Sequence, residues 1–196
     1  MKKIICVWTV LLLIATSSYA QPSWNVTNST RGNFAFGMPG TPNGMDTLNL
    51  LSYMYAANDS SNISYHVEFI DSASISGNQE LEELFGSRAS VAFASDPCYV
   101  DSIAKMLDMY AEVFQSTTQG TIEGYEQSDY IACSIRGRAL TIRHQNLSGD
   151  GDYYFTFTRY FYWNSKLLIF TITGPESNLP ALYAYKNQFF SSIYIF

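Results

Sequence analysis

Arginine and tyrosine side chains are the strongest candidates for chemistry in this chain, and they recur on predicted strands in its second half. The candidate binding residues are Arg136, Arg138, Arg143, Tyr154, Tyr160 and Tyr162. A guanidinium pairs with carboxylate or phosphate groups, and tyrosine is enriched at interfaces because it joins an apolar ring to a polar hydroxyl. The pattern predicts a surface for an acidic partner or an anionic ligand. A second interpretation stays open, in which the phenylalanine face of the 153–163 strand is core and its tyrosine/threonine face lies beneath a helix or half in water.

Catalytic side chains are sparse. His66 and His144 both fall on predicted strands among polar neighbours, and the chain has no Gly-x-Ser-x-Gly turn that would mark a serine nucleophile. Cys98 and Cys133 lack a recognised nucleophile setting, and the spacing of histidines and cysteines does not resemble that of a zinc site. We therefore predict no catalytic residues, no metal and no cofactor.

The segment from Asn146 to Asp152 begins like a calcium-binding loop, because oxygen-bearing side chains alternate there before Gly151. The twelfth position is Phe157, where such a loop requires a bidentate glutamate. A Gly/Asp hairpin turn between two strands accounts for these residues.

Residues 1–20 have the pattern of a secretory signal peptide. Lys2 and Lys3 precede an apolar run over 4–14, and small residues precede the predicted cleavage site after Ala20. The run is too short for a membrane span, which needs about 20 residues, and no later segment supplies one. The sequence predicts a periplasmic or extracellular protein without a transmembrane segment.

Cleavage has consequences for the cysteines and for the charge. It removes Cys6 and leaves Cys98 and Cys133, which could form a disulfide in an oxidising compartment or remain two buried thiols. The leader contains two lysines and no acidic residue, so its loss deepens the formal net charge from −6 to −8. An acidic chain is repelled by phosphate backbones, which disfavours nucleic acid as a partner.

The remaining chain is predicted to form a flexible arm over 21–30 and a single domain over 31–196. Strands are predicted near 33–36 and over 46–56, 62–70, 121–126, 130–135, 139–145, 153–163 and 167–173, and helices over 78–92, 96–114 and 179–193. The 153–163 strand carries one aromatic face, which only Arg159 interrupts, and the 167–173 strand is apolar on both faces and should be central. The predicted class is α+β: an α/β/α sandwich with a central, mainly antiparallel sheet, a helical insert after the third strand and a C-terminal helix.

Several short segments resemble the PsbP-like group, which is named after an extrinsic protein of photosystem II. Residues 34–42 (FAFGMPGTP) resemble the opening strand and turn of that group, and residues 188–193 (QFFSSI) resemble the end of its last helix. The Tyr65-His66-Val67 strand and the Arg136-Gly137-Arg138 segment fit the order expected between them, so the likeness covers 31–196. The resemblance implies a small accessory or binding domain, and it carries over no catalytic residues.

The sequence therefore predicts an exported, non-enzymatic binding or accessory protein, with an unknown protein or small ligand of the cell envelope as its partner. Two other function classes remain open. A small hydrolase of envelope or extracellular material would need a histidine beside a carboxylate and a Ser or Cys. A carrier of hydrophobic ligands would need a cavity between sheet and helices.

Overall fold

The computed structural model describes residues 24–46, 51–56, 62–71, 100–128, 130, 135–145, 151–164 and 166–196. The elements in chain order are β1 (Trp24–Ser29), β2 (Phe34–Pro39), β3 (Asn43–Asp46), β4 (Leu51–Ala56), β5 (Ser64–Asp71), α1 (Val100–Thr118), β6 (Thr121–Gln127), β7 (Arg136–Gln145), β8 (Tyr153–Trp163), β9 (Lys166–Pro175), α2 (Leu179–Ser191) and β10 (Tyr194–Ile195). A 3₁₀ turn at Glu176–Asn178 leads into α2. Neither helix of the described ranges combines the length and the apolar character that a membrane crossing requires.

Seven strands form the main sheet in the order β3-β4-β5-β9-β8-β7-β6, and each neighbouring pair is antiparallel. β9 lies at the centre, where Leu168 and Phe170 are buried on one face and Leu167 and Ile169 on the other. Because alternate residues of a strand point to opposite faces, both faces of this strand must be covered. The prediction of a central strand over 167–173 is confirmed, and so is the α+β class with a mainly antiparallel sheet.

Each face of the main sheet has its own hydrophobic core. On the face that we call the α1 face, Leu107 and Tyr110 of α1 pack against Leu140 and Tyr160. On the opposite face, the α2 face, aromatic residues of β2 and α2 pack against the sheet, with Phe34 and Phe36 within 6.5 Å of Phe170, ring centre to ring centre. Burying one such side chain contributes roughly 1.5–3 kcal/mol, so the two cores hold the layers together.

A smaller sheet of three strands, in the order β1-β2-β10, covers part of the α2 face. Its first strand corrects the expectation of a flexible arm at residues 24–29. Residues 24–29 make six antiparallel pairs with β2, and the Trp24 ring lies edge-on to Tyr65 at 5.8 Å. The polar composition of this segment did not indicate a strand, because the strand is stabilised by backbone pairing with β2 and by the packing of one tryptophan.

Two further strand boundaries differ from the prediction. The predicted strand over 46–56 includes the last residue of β3 and all of β4, and these two strands pair antiparallel, so the prediction of one continuous strand is wrong. Residues 136–138 belong to β7, although Gly137 indicated a connection. The strand requires a glycine at this position, because a Cβ there would come within 2.5 Å of the Phe161 ring and of the Ser128 carbonyl oxygen.

Other predictions concern residues outside the described ranges. These are the signal peptide over 1–20, the helix over 78–92, Cys98, Cys133 and residues 146–150 of the turn predicted over 146–152. The second predicted helix corresponds to α1, which is described from Val100 onward. Of the predicted strand over 130–135, the described part is one bridge between Tyr130 and Ile135.

Candidate binding surface

The six predicted binding residues lie on two opposite faces of the main sheet. Strand register places Arg136 opposite Tyr162, and Arg138 opposite Tyr160, so these two pairs share the α1 face. Tyr154 lies on the same face, opposite His144. Arg143 has the other parity on β7 and lies on the α2 face. The structure therefore does not bring the six side chains together on one surface.

Tyr160 packs in the core beneath α1. Its side chain is fully buried, and its hydroxyl donates a hydrogen bond of 2.9 Å to the carbonyl oxygen of Leu107. Burial raises the pKa of Tyr160, and the neighbouring Tyr125 adds to the rise. This residue joins helix to sheet and has no surface to offer a partner. The interpretation in which the tyrosine face lies beneath a helix holds at this position.

Arg138 is engaged with α1. Its Nε donates to Asp108 Oδ1 at 3.0 Å and to the Tyr125 hydroxyl at 3.2 Å, and that hydroxyl donates to the same carboxylate oxygen. The Arg138 side chain is only 13% exposed. The positive charge of Arg138 is paired within a network that joins β6, β7 and α1. It is therefore only weakly available to an anionic ligand.

The two histidines do not converge. His66 lies on β5, where its Nε2 is 3.8 Å from Glu68 Oε2, and His144 lies on β7, where its Nε2 is 2.9 Å from Thr156 Oγ1. Two strands separate β5 from β7, a lateral distance of about 14 Å. Burial raises the pKa of Glu68, although the nearby His66 acts against the rise. Within the described ranges no three His, Cys, Asp or Glu side chains are grouped so that they could hold a metal ion.

Arg143 forms a bidentate ion pair at the end of the α2 face. Its Nη2 and Nε donate to the Glu176 carboxylate at 2.8 and 3.2 Å, and its guanidinium carbon lies 3.7 Å from the centre of the Tyr153 ring. The hydrogen bond with Glu176 raises the pKa of Arg143. Tyr153 and Glu176 also line an open depression of about 240 Å³ with Gly151, Asp152 and Ser177.

Two further cations, which sequence reasoning did not select, meet between β8 and α2. The guanidinium of Arg159 lies 4.8 Å from the centre of the Phe190 ring. The ammonium of Lys186 lies 4.7 Å from the Phe157 ring centre and 4.8 Å from that of Tyr183. Both side chains are half-buried, and neither forms an ion pair with a carboxylate of the described chain. Aromatic faces attract these cations but do not neutralise them.

A signal for these two residues was present in the sequence. Arg159 interrupts the aromatic face of the 153–163 strand, and Lys186 interrupts the apolar stripe of the last helix. A charged residue within an apolar stripe is placed against the core by its periodicity, so its charge must reach a partner, a ligand or solvent. The sequence could not show that the two interruptions face each other.

We use the name cationic face for the part of the α2 face formed by Arg143, Tyr153, Phe157, Arg159, Tyr183 and Lys186. Beside it, the outer strands β6 and β7 carry small side chains, such as Ala139 and Thr141, which are only partly covered. Glu126 of the edge strand β6 lies in the same register row as Ala139 and Arg159. The result is a shallow surface with a basic and aromatic wall along α2 and β8.

No protein-family model matches this chain. A search of curated proteins likewise finds no match.

Solved structures do match. The solution structure of cyanobacterial PsbP (CyanoP) from Synechocystis sp. PCC 6803 has a TM-score of 0.51 and 13% sequence identity, over 92% of this chain and 96% of that one. The Ran-binding protein Mog1p of Saccharomyces cerevisiae has a TM-score of 0.49 and 8% identity, over 89% and 96% of the two chains. A Pseudomonas aeruginosa protein of unknown function has a TM-score of 0.42 and 11% identity, over 84% and 92%. At such identities the likeness concerns the fold alone.

Proposed function

From the PsbP-like fold of this chain, we propose that it is an exported, non-enzymatic binding protein that recognises an acidic partner through the cationic face. The PsbP-like group consists of small accessory or binding domains, and the resemblance favours that class over an enzyme. The position of the two histidines is consistent with this choice, because they lie three strand spacings apart.

The observation that carries the proposal is the charge distribution. The chain as a whole has a formal net charge of −6, yet three cations, Arg143, Arg159 and Lys186, share one face beside α2. Only Arg143 among them has a carboxylate partner within the described chain. An acidic partner would be attracted to this face and repelled elsewhere, so the face would also orient the encounter. Of the six residues selected from the sequence, Arg143 alone lies in the proposed surface.

The exported part of the proposal is supported by the leader pattern of residues 1–20. Cleavage after Ala20 would leave three residues before β1, which begins at Trp24. The periplasmic or extracellular location and the Cys98–Cys133 disulfide remain predictions that belong to this proposal. Mass spectrometry of protein recovered from its own host would test both, since a mature chain that begins at Gln21 and is 2 Da lighter than its reduced form is expected.

Site-specific photocrosslinking in the native host tests the binding surface. A photoreactive phenylalanine at Tyr183, which is 44% exposed on α2, should yield a discrete adduct with a protein that carries an acidic segment. The same probe at Met109, which is 40% exposed on α1, is the matched control and should yield none.

Salt distinguishes an electrostatic contact from an accidental one. The adduct at Tyr183 should weaken as the salt concentration rises from 0.1 to 1 M, because the screening length falls from about 10 to about 3 Å. Equal adducts at both positions, or an adduct at Tyr183 that ignores salt, would contradict the proposal.

A further inference from the structure

We propose that Arg159 and Lys186 form an anion-binding site that receives one carboxylate, borne by an aspartate or glutamate of an acidic protein segment with apolar neighbours. This inference rests on the proposed function and identifies where on the cationic face a carboxylate of the partner binds.

The site is built by the match between a helix stripe and a strand. Leu182, Lys186 and Phe190 are four residues apart on α2, which is a rise of about 6 Å per step. Residues two apart on a strand are spaced by about 6.6 Å, so successive members of the stripe meet successive rows of the sheet. Leu182 lies over Gly174, where an added Cβ would be 3.1 Å from the leucine Cδ1, and this contact sets the start of the stripe.

The next two steps of the stripe produce crossed pairs of cation and ring. Lys186 of α2 lies over Phe157 of β8, and Arg159 of β8 lies under Phe190 of α2. Each cation is thus held in place by a ring from the other element. The arrangement puts the two positive charges over neighbouring rows of the sheet and keeps the side chains pre-organised, which lowers the ordering cost of binding.

Both cations lie where their charged forms are disfavoured, so a bound anion would stabilise them. Burial lowers the pKa of Arg159, and burial together with the charge of Arg159 lowers the pKa of Lys186. The group that acts in the opposite sense on both is Glu126, which lies two strands from Arg159, at about 10 Å between Cα atoms. At that distance an exposed carboxylate attracts the pair weakly and does not neutralise it.

The surroundings favour a monoanion that carries an apolar group. A guanidinium edge and an ammonium together can donate to both oxygens of one carboxylate. The ring of Tyr183, which is 44% exposed, offers an apolar surface beside the ammonium, and this surface suits the methylene stem of Asp or Glu and an apolar neighbour. Glu126 and the acidic net charge of the chain repel a dianion more strongly than a monoanion, which disfavours phosphate groups.

The test measures Lys186 directly in the purified mature protein. With ¹³C-labelled lysine, NMR follows the titration of each ammonium while phenylacetate, acetate or inorganic phosphate is added. Phenylacetate should bind at least about threefold more tightly than acetate. At saturation it should raise the pKa of Lys186 by about one unit, which corresponds to a tenfold preference for the protonated form.

Variants separate the site from general charge effects. Lys186→Gln and Arg159→Gln should each weaken phenylacetate binding at least about tenfold, and Lys186→Arg should retain it because it keeps the cation. Lys166→Gln is the matched control, since Lys166 also lies over a ring, that of Phe69 at 5.9 Å, but away from the site; binding should be unchanged. If Arg159→Gln does not fold, the Lys186 variants decide the test alone.

Three results would overturn the inference: phosphate binding more tightly than phenylacetate, no probe raising the pKa of Lys186, or Lys166→Gln weakening binding as much as Lys186→Gln. None of them would remove the photocrosslink at Tyr183, so the anion site can fail while the proposed function stands. Loss of the crosslink with intact phenylacetate binding would refute the proposed function and leave the anion site.

Discussion

Removal of a single hydroxyl at Tyr160 tests whether this residue serves packing or binding. The Tyr160→Phe substitution keeps the ring, which lies 4.8 Å from the ring of Tyr110, and deletes the hydrogen bond to the Leu107 carbonyl. A hydrogen bond within a protein contributes about 0.5–1.5 kcal/mol net. The Leu107 carbonyl lies within α1 and can still accept the helical N–H four residues later, so it is not left unpaired. We expect the free energy of unfolding to fall by about 1 kcal/mol.

Equilibrium unfolding in urea measures this loss. With a slope of about 2 kcal/mol per molar urea, which is ordinary for small proteins, the midpoint should fall by about 0.5 M. Tyr154→Phe is the matched control, because Tyr154 is half-exposed and stacks on His144 without a described hydrogen bond at its hydroxyl. That control should move the midpoint by less than about 0.2 M, as is usual for surface substitutions.

The reasoning would be refuted if both variants unfolded at the same urea concentration. It would also be refuted if Tyr160→Phe left the midpoint unchanged and abolished the photocrosslink at position 183, since Tyr160 would then act in binding. Tyr160→Ala should cost about 3–5 kcal/mol, because a large cavity would open beneath α1.

Two further substitutions test other contacts of the sheet. Gly137→Ala should lower the free energy of unfolding by about 1–3 kcal/mol, because its Cβ would lie 2.5 Å from the Phe161 ring and from a backbone oxygen. Gly124→Ala, whose Cβ meets nothing closer than 3.6 Å, should change little; equal thermal midpoints for the two variants would contradict the packing argument. Glu68→Gln should stabilise the protein near pH 7 and have little effect near pH 4. The raised pKa of Glu68 means that its contribution to stability is present below the unfolded value of 4.5 and is lost as the pH rises through the folded value. Urea midpoints at both pH values test this sign, and a loss of stability at pH 7 would show that the attraction of His66 outweighs burial.

The periodic part of the fold could be predicted from the sequence. The 153–163 strand matches β8 at both ends, because eleven residues alternate between a phenylalanine-rich and a tyrosine/threonine face. The last helix is marked by Pro180 in its first turn and by an apolar stripe, and its observed end lies within two residues of the predicted one. Such elements are determined by local pattern, and tertiary contacts only confirm them.

The rest depended on contacts between distant residues. Residues 24–29 form a strand because β2 is available to pair with them, and the polar composition of the segment does not indicate this pairing. Residues 136–138 continue β7 because the Phe161 ring needs the space that Gly137 leaves empty. The candidate site could be predicted only in part, for the same reason. Arg159 and Lys186 were visible as interruptions, but their pairing follows from how α2 crosses β8.

The central position of β9 also determines the order in which the protein can fold. β3–β5 and β6–β8 are two meanders, and in the described part of the chain β9 lies between them, where it pairs with β5 on one side and with β8 on the other. Contacts between residues about a hundred positions apart close slowly, because the loop entropy must be overcome first. Before Lys166–Pro175 is available, β5 and β8 would each present an open edge to other chains. Refolding should therefore be slow and favoured by dilution, and the sheet of a growing chain would stay open until Lys166–Pro175 has been made. If the chain is exported, as proposed above, this delay keeps it unfolded while it crosses a membrane.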